Sequence, residues 1–489
     1  MDVLSKRQKP HLNALLIAVS TIALPHGNNS CNLRNSSTAQ ERAMPDMSLP
    51  TAVNPHVLRR LVALAQRQSV LVMEDIFDQR GQKLAAAGDG FTPEVQARIT
   101  QHKLKRPLEA CLGLESAPDA QLIVERARHL IDTCAPLRRI LALAVRERSP
   151  IHLLATVEFS HSTALLLGLA ADGHPQALDH CVLVSLLAIA MARTLRLSED
   201  DQVAAGIAGL LHDLGELYID PAWLAPGKRL RPHEWAHIVA HPRIGQMLVN
   251  ELDSFPLAVG RAVAEHHERF NGSGYPRQVG GHSISGPGQA VAVAEMIAGL
   301  LNRDQPLERA ELALKIIPGE QAHDLVSAVS GALRTQARLE MLDEQIEGGA
   351  DVERLFWRMQ SAHQMAEWLV AGGGHGSAAG RTLIARTLER LEAVQRAFVS
   401  TGLDTWMRPG HGLHEGGAAV HFERIVASRE IEWRLRDLAR DVALQSSGGD
   451  QAAFGRLIDL LDGTADEPDD GLAPPCGLHA PAPAVATPA

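Results

Sequence analysis

The chain has 489 residues, 45% of them apolar and 21% charged, with 3% aromatic and a net charge of −10. At roughly 150 residues per domain the length suggests about three domains. The acidic balance excludes a general electrostatic grip on DNA or RNA, and the scarcity of aromatic residues favours packed Leu/Ala/Val/Ile helices over an aromatic β-sandwich. Five scattered cysteines, Cys31, Cys111, Cys134, Cys181 and Cys476, contain no CxxC and point to a reducing compartment without a zinc finger.

Taken in chain order, residues 1–50 are expected to be disordered or to precede the true start. The apolar run from Ala14 to Leu24, after Lys6, Arg7 and Lys9, is too short to span a bilayer. It imitates a signal peptide, but no small-x-small cleavage site follows, so a start at Met44 or Met47 and a cytoplasmic location are expected. Residues 51–118 read as a small α/β module. It comprises a helix from Pro55 to Gln68, extended runs at Val70–Met73 and Ile76–Phe77, a hairpin turn at Asp78–Gly81 leading into Lys83–Ala87, and a helix capped by Thr92 with Pro93 in its first turn.

From Asp119 the pattern is helical almost throughout, giving a mainly α fold in which 119–335 forms the central domain. Ser198 and Asp201 resemble a capping box that opens a buried helix ending at His212-Asp213, with Gly215 near its stop. Pro232 opens a helix carrying His241, and Leu257 to Glu268 forms one that ends in His266-His267, so three helix ends are expected to converge. Residues 336–447 read as a helical appendage, and residues 448–489 as a disordered tail.

His180, the His212-Asp213 doublet, His241, the His266-His267 doublet and the later acid Glu295 form a spaced set of neutral imidazoles and carboxylates. Such a set is what a dinuclear hydrolytic centre needs: each ring offers one nitrogen to a divalent cation, and a carboxylate can bridge two. Asp213 is the candidate bridge. His233, His237, His282, His411, His414 and His421 match no ligand spacing.

The strings His212-Asp213-Leu214-Gly215, His241-Pro242-Arg243-Ile244-Gly245 and His266-His267-Glu268-Arg269-Phe270-Asn271-Gly272-Ser273-Gly274-Tyr275-Pro276 resemble the HD-GYP branch of the HD-domain phosphohydrolases. The resemblance implies an HD-type helical bundle holding two divalent ions, Fe or Mn. It assigns His180, His212, Asp213, His241, His266, His267 and Glu295 to the metals, and Gly272, Gly274, Tyr275, Pro276 and Arg303 to the substrate side. The implied reaction is hydrolysis of a cyclic dinucleotide, cyclic di-GMP, in bacterial signalling. The implied partners are a GGDEF-domain protein and a second copy of the chain, with no nucleic-acid polymer and no membrane span.

Five positions depart from the family pattern. Glu216 stands where the family has lysine, so it is either a catalytic-site loss or a carboxylate that supports His212 four residues before it. Glu295 replaces an aspartate, and Gln176 replaces the glutamate of members with a third metal, which favours two ions. The basic residues after the last acid are reduced to a displaced Arg303, and the arginine that usually flanks His180 is missing from Cys181-Val182-Leu183-Val184. Two other functions therefore stand beside hydrolysis of cyclic di-GMP: a degenerate domain that binds nucleotide or a partner without turnover, and a phosphohydrolase of another nucleotide.

Overall fold

The computed structural model describes residues 52–144, 148–172, 175–225, 228, 230–301, 313–333, 352–372, 376–403, 418–446 and 448–465. The segment expected to be disordered at the N-terminus, Arg303, His411 and His414 lie outside them. The chain divides into two compact units, Met1–Ala350 with Ser400–Glu430, and Asp351–Val399 with Ile431–Ala489.

In the first unit, α1 (Pro55–Ala65) starts where Asn54 Oδ1 accepts the backbone N–H groups of His56 and Val57 at 2.8 and 3.2 Å. β2 (Ile76–Phe77) and β3 (Lys83–Ala85) form the expected hairpin, whose turn is tied by Asp78 Oδ1 to the N–H groups of Arg80 and Gln82. β1 (Val70–Val72) does not join it; its antiparallel partner is β4 (Leu112–Leu114), a strand the sequence reading misses. Between them runs α2 (Pro93–Thr100), capped by Thr92 as expected.

Eleven further helices of this unit follow among the described residues, introduced here in order. They are α3 (Ala120–Thr133), α4 (Ala135–Leu141), α5 (Pro150–Leu154), α6 (His161–Ala171), α7 (Pro175–Thr194), α8 (Glu199–Leu211), α9 (Pro221–Leu224), α10 (Pro232–Leu252), α11 (Leu257–Glu265), α12 (Gly286–Leu301) and α13 (His323–Leu333). α8 begins at Ser198, whose Oγ accepts the Asp201 N–H, and three acids in its first turn complement the positive end of the helix. α7 packs along α8 and α12, and all three are apolar on nearly every face. α7 is long and apolar enough to cross a membrane, but most of it is buried inside the protein. A 3₁₀ turn, Leu214–Tyr218, links α8 to α9 and packs on α10.

The second unit contains α14 (Val352–Val370), most of α15 (Ala378–Ser400), the part of α16 (Ala418–Gln445) from Ile431 onward, and α17 (Gly448–Asp462). α17 corrects the tail reading of 448–489, because its first 15 residues are helical and bury Phe454, Leu457, Leu460 and Leu461. The buried Arg358 on α14 donates from Nη2 to the Leu461 carbonyl at 2.8 Å, satisfying one of the free carbonyls at the end of α17. Arg390 on α15 spans Asp437 and Asp441 on α16, at 3.1 and 2.6 Å.

Candidate metal centre

Three of the histidines sit where a helix leaves a carbonyl free. His212 follows the last residue of α8, and its Nδ1 lies 2.9 Å from the Gly209 carbonyl. His266 follows the last residue of α11, with Nδ1 2.6 Å from the Val263 carbonyl. Both acceptors lie in the last turn of their helix, where carbonyls lack an intrahelical partner. His241 is inside α10, but the next residue is Pro242, which has no N–H to give to the carbonyl four residues back. That carbonyl, of Ile238, receives His241 Nδ1 at 2.6 Å instead. Each ring therefore donates through Nδ1 and turns the lone pair of Nε2 toward a common centre.

Asp213 stands between the rings. Its Oδ2 lies 3.0 Å from His212 Nε2, while its Oδ1 lies 3.5 Å from the Nε2 atoms of both His241 and His266. Glu295, on α12, completes the other side, with Oε2 3.0 Å from His180 Nε2 and 3.2 Å from His212 Nε2. The potential ligand atoms form two groups, Asp213, His241, His266 and His267, and His180, His212 and Glu295, with the atoms of each group within 4.8 Å of one another. His212, His241 and His266 are 0%, 1% and 0% exposed, whereas the side chains of His180, Asp213 and Glu295 are 27%, 28% and 23% exposed. The centre is thus walled at the back and open along one rim.

Burial disfavours charge on every one of these groups, and their neighbours decide the outcome. His212 is raised well above its usual range because Asp213 and Glu295 outweigh its burial. Burial opposes ionisation of Asp213 and Glu295 too, yet His212 and its neighbours hold both carboxyls well below the ordinary range. Burial and the adjacent rings push His267 well down, while His266 falls to about 4 through burial, despite Asp213. His212 Nε2 and Glu295 Oε2 are buried without a hydrogen-bond partner. Imidazole nitrogens and carboxylate oxygens this close share a positive charge, a proton on His212 or a cation in its place, and divalent cations fit this nitrogen and oxygen set.

Close backbone contact holds the three helix ends together. A Cβ on Gly215 would lie 2.0 Å from the His241 carbonyl oxygen, so only glycine lets the turn after Asp213 meet α10. In the loop after His267, a Cβ on Gly274 would lie 2.3 Å from the His267 oxygen and 2.5 Å from the Glu268 Cα. Tyr275 N–H donates to that same oxygen at 3.0 Å, and its ring stacks on His267, centroids 4.5 Å apart and inclined by 28°. Gly272, in a left-handed conformation, and Pro276 belong to the same loop. The structure thus brings the GYP segment against a candidate ligand.

Two acids missed in the sequence reading anchor this loop. Glu268, fully buried, accepts the N–H groups of Arg277 and Val279 at 2.7 and 3.1 Å, and burial pushes it up to about 7. Glu265, also fully buried, accepts from the Ser285 backbone and hydroxyl, Arg261 and Arg277. The signal was present in their spacing around the doublet, Glu265-His266-His267-Glu268, but their partners lie 9 to 20 residues downstream or one helical turn upstream.

Glu216 does not support His212: the ring's other nitrogen is taken by Gly209, and residues 214–218 leave the helix in a 3₁₀ turn, which breaks the four-residue spacing. Its carboxyl is pushed up to about 7 by burial and by Asp213. Cys181 is buried, burial pushes its thiol up to about 12, and it belongs to neither group of converging ligand atoms. His237 lies against Trp223, centroids 4.6 Å apart and rings inclined by 38°, and His282 lies against Phe270.

Residues 164–325 match the HD domain family model. The chain is 25% identical over 207 residues to the 3′3′-cGAMP-specific phosphodiesterase 3 of Vibrio cholerae, covering 41% of this chain and 45% of that one. It is 27% identical over 210 residues to a cyclic di-GMP phosphodiesterase of Pseudomonas aeruginosa, covering 40% and 50%. The match to the cyclic di-GMP phosphodiesterase response regulator RpfG of Xanthomonas campestris is 39% identical over 114 residues, covering 23% and 30%. The chain spans half or less of the length of each of these relatives.

Proposed function

We propose that the chain, whose residues 164–325 match the HD domain model, is of the HD-GYP type and hydrolyses a phosphodiester bond of a cyclic dinucleotide, cyclic di-GMP or its cGAMP counterpart, in bacterial second-messenger signalling. The observation that carries this reading is the division of Asp213, one oxygen toward each of two groups of ligand atoms. A pair of divalent ions, Fe or Mn, bound there would supply a nucleophile at neutral pH and neutralise charge on the phosphodiester oxygens.

The chain's own residues prepare that chemistry. His241, His266 and His267 with Asp213 would hold one ion, and His180, His212 and Glu295 the other, with the second oxygen of Asp213 turned toward His212. Carbonyl bonds at Nδ1 fix three rings in the tautomer that ligation requires, so no reorganisation is needed when the centre fills. The open rim of His180, Asp213 and Glu295 admits the substrate, while the buried rings behind it exclude water from that side. Glu216, near neutrality beside Asp213, is placed to hold or release a proton at physiological pH. Tyr275 braces His267 and, with Gly272, Gly274 and Pro276, forms one wall of the substrate side.

Anaerobic purification, metal quantification and product analysis with cyclic di-GMP and cGAMP test this reading. We expect about two divalent ions per chain and a linear dinucleotide or mononucleotide product. A chain free of metal, or one that binds metal and leaves every cyclic dinucleotide intact, overturns it. The second outcome would favour the non-catalytic reading, which the carboxylate at Glu216 supports, and Glu216→Lys would then be the variant expected to gain turnover.

A further inference from the structure

His267 is held differently from the other rings of its group. His241 and His266 are each tied through Nδ1 to a carbonyl of their own helix, whereas among the described residues no hydrogen bond reaches the ring of His267, which is half-buried. What sets its plane is contact with other rings. His266 and His241 lie against it at 4.1 and 5.1 Å but are inclined to it by 44° and 84°, and Tyr275 is the neighbour that stacks, at 4.5 Å and 28°.

Tyr275 belongs to a loop, so its ring can brace His267 only if something fixed backs it. Trp235 does so. It is buried and meets Tyr275 edge to face, centroids 5.5 Å apart and planes at 75°, the arrangement that aromatic quadrupoles favour. Trp235 is fixed in turn by the start of α10. Pro232 opens that helix, the Glu234 carboxylate accepts the Arg231 N–H at 2.8 Å, and the Trp235 N–H donates to the Arg231 carbonyl at 2.9 Å. α10 therefore reaches the same ligand group twice, directly through His241 and through two aromatic rings to His267.

We propose that Trp235 is a positioning residue: by backing Tyr275 it holds the His267 ring in the plane from which His267 would meet the ion shared with His241, His266 and Asp213. This rests on the metal-dependent reading above. It makes the capped start of α10, and not the GYP loop alone, answerable for the geometry of that group.

The test uses the full chain, stripped of metal and titrated anaerobically with Mn(II), with free Mn(II) read by electron paramagnetic resonance. The wild type is compared with Trp235→Ala, Trp235→Leu, Trp235→Phe, Tyr275→Leu, His267→Ala and the double variant Trp235→Leu/Tyr275→Leu. Trp235→Leu keeps an apolar side chain in the core, so it separates loss of the ring from opening of a cavity. We expect Trp235→Ala and Trp235→Leu to raise by about tenfold the Kd of the ion that His267→Ala also weakens, with the other ion within about threefold of wild type. Trp235→Phe, which keeps a ring, should stay within about threefold for both ions. The double variant should bind no more weakly than Tyr275→Leu alone, because the two side chains act along one line. Unchanged Kd in Trp235→Leu overturns the proposal, as do equal weakening of both ions, a Trp235→Phe as poor as Trp235→Leu, or losses that add in the double variant. Wild-type protein that binds no Mn(II) overturns the functional reading and this one together, whereas wild-type binding of two ions indifferent to Trp235 overturns this one alone.

Discussion

The two ligand groups are built to different standards. In the group of His241, His266, His267 and Asp213, two rings are buried and tied to helix carbonyls, and a third is braced by a stacked tyrosine. In the group of His180, His212 and Glu295 only His212 is so fixed, while His180 and Glu295, each about a quarter exposed, hold one another at 3.0 Å. A pinned imidazole gives up little freedom on ligation, and a longer carboxylate on an open rim gives up more. The first group should therefore fill first and most tightly, and the second should be the exchangeable one.

The severest way to break that comparison is Asp213→Ala, which removes the residue common to both groups. Turnover should fall by at least about 10³-fold and metal content with it, as read by hydrolysis assay and elemental analysis. Activity within tenfold of wild type would mean the carboxylate is no bridge. His266→Ala against His180→Ala sharpens the comparison. We expect about 100-fold loss of activity and of tightly held metal from the first, and nearer tenfold with one ion retained from the second. The reverse order would show that the open group is the tighter one.

Pro242→Ala is subtler. The new N–H can bond the Ile238 carbonyl and compete with the His241 ring, so metal affinity should weaken by up to about tenfold with little change in thermal stability. Unchanged affinity would leave the proline with no role in aiming the ring.

The smallest effect concerns a buried acid away from the ligands. Burial raises Glu109, and its hydrogen bond to Tyr218 only partly opposes this. A folded-state value above the unfolded one means the native state binds the extra proton, so stability is full below about 4.5 and declines as pH rises through the folded value. Thermal melts across that range should show the decline in the wild type and its loss in Glu109→Gln. A variant with the same slope would place the titration elsewhere.

The convergence of the candidate ligands was legible in the sequence because their doublets stand at predicted helix ends, and capping residues such as Ser198 and Thr92 announce where helices begin. What supports the ligands was not. Glu265 and Glu268 look like ordinary helix-end acids until Ser285, Arg277 and Val279 come back to them through space. β4 is three residues long with a glycine at its middle, and only its pairing with β1 makes it a strand. Gly448 and Gly449 hid α17 behind what looked like the start of a tail, although Phe454, Leu457 and Leu461 keep helical spacing. The Glu216 spacing misled because it assumed that the helix continued past Asp213.

Arg358 has a practical bearing on how the polypeptide can be shortened. Its guanidinium is enclosed by the second unit and leans on the carbonyls of Leu460 and Leu461. Trimming at 448, where glycines suggest a safe cut, would strip away those acceptors and leave the half-buried Glu432, 3.5 Å from Nη1, as the cation's remaining partner. A cut beyond Ala465 keeps the clasp shut.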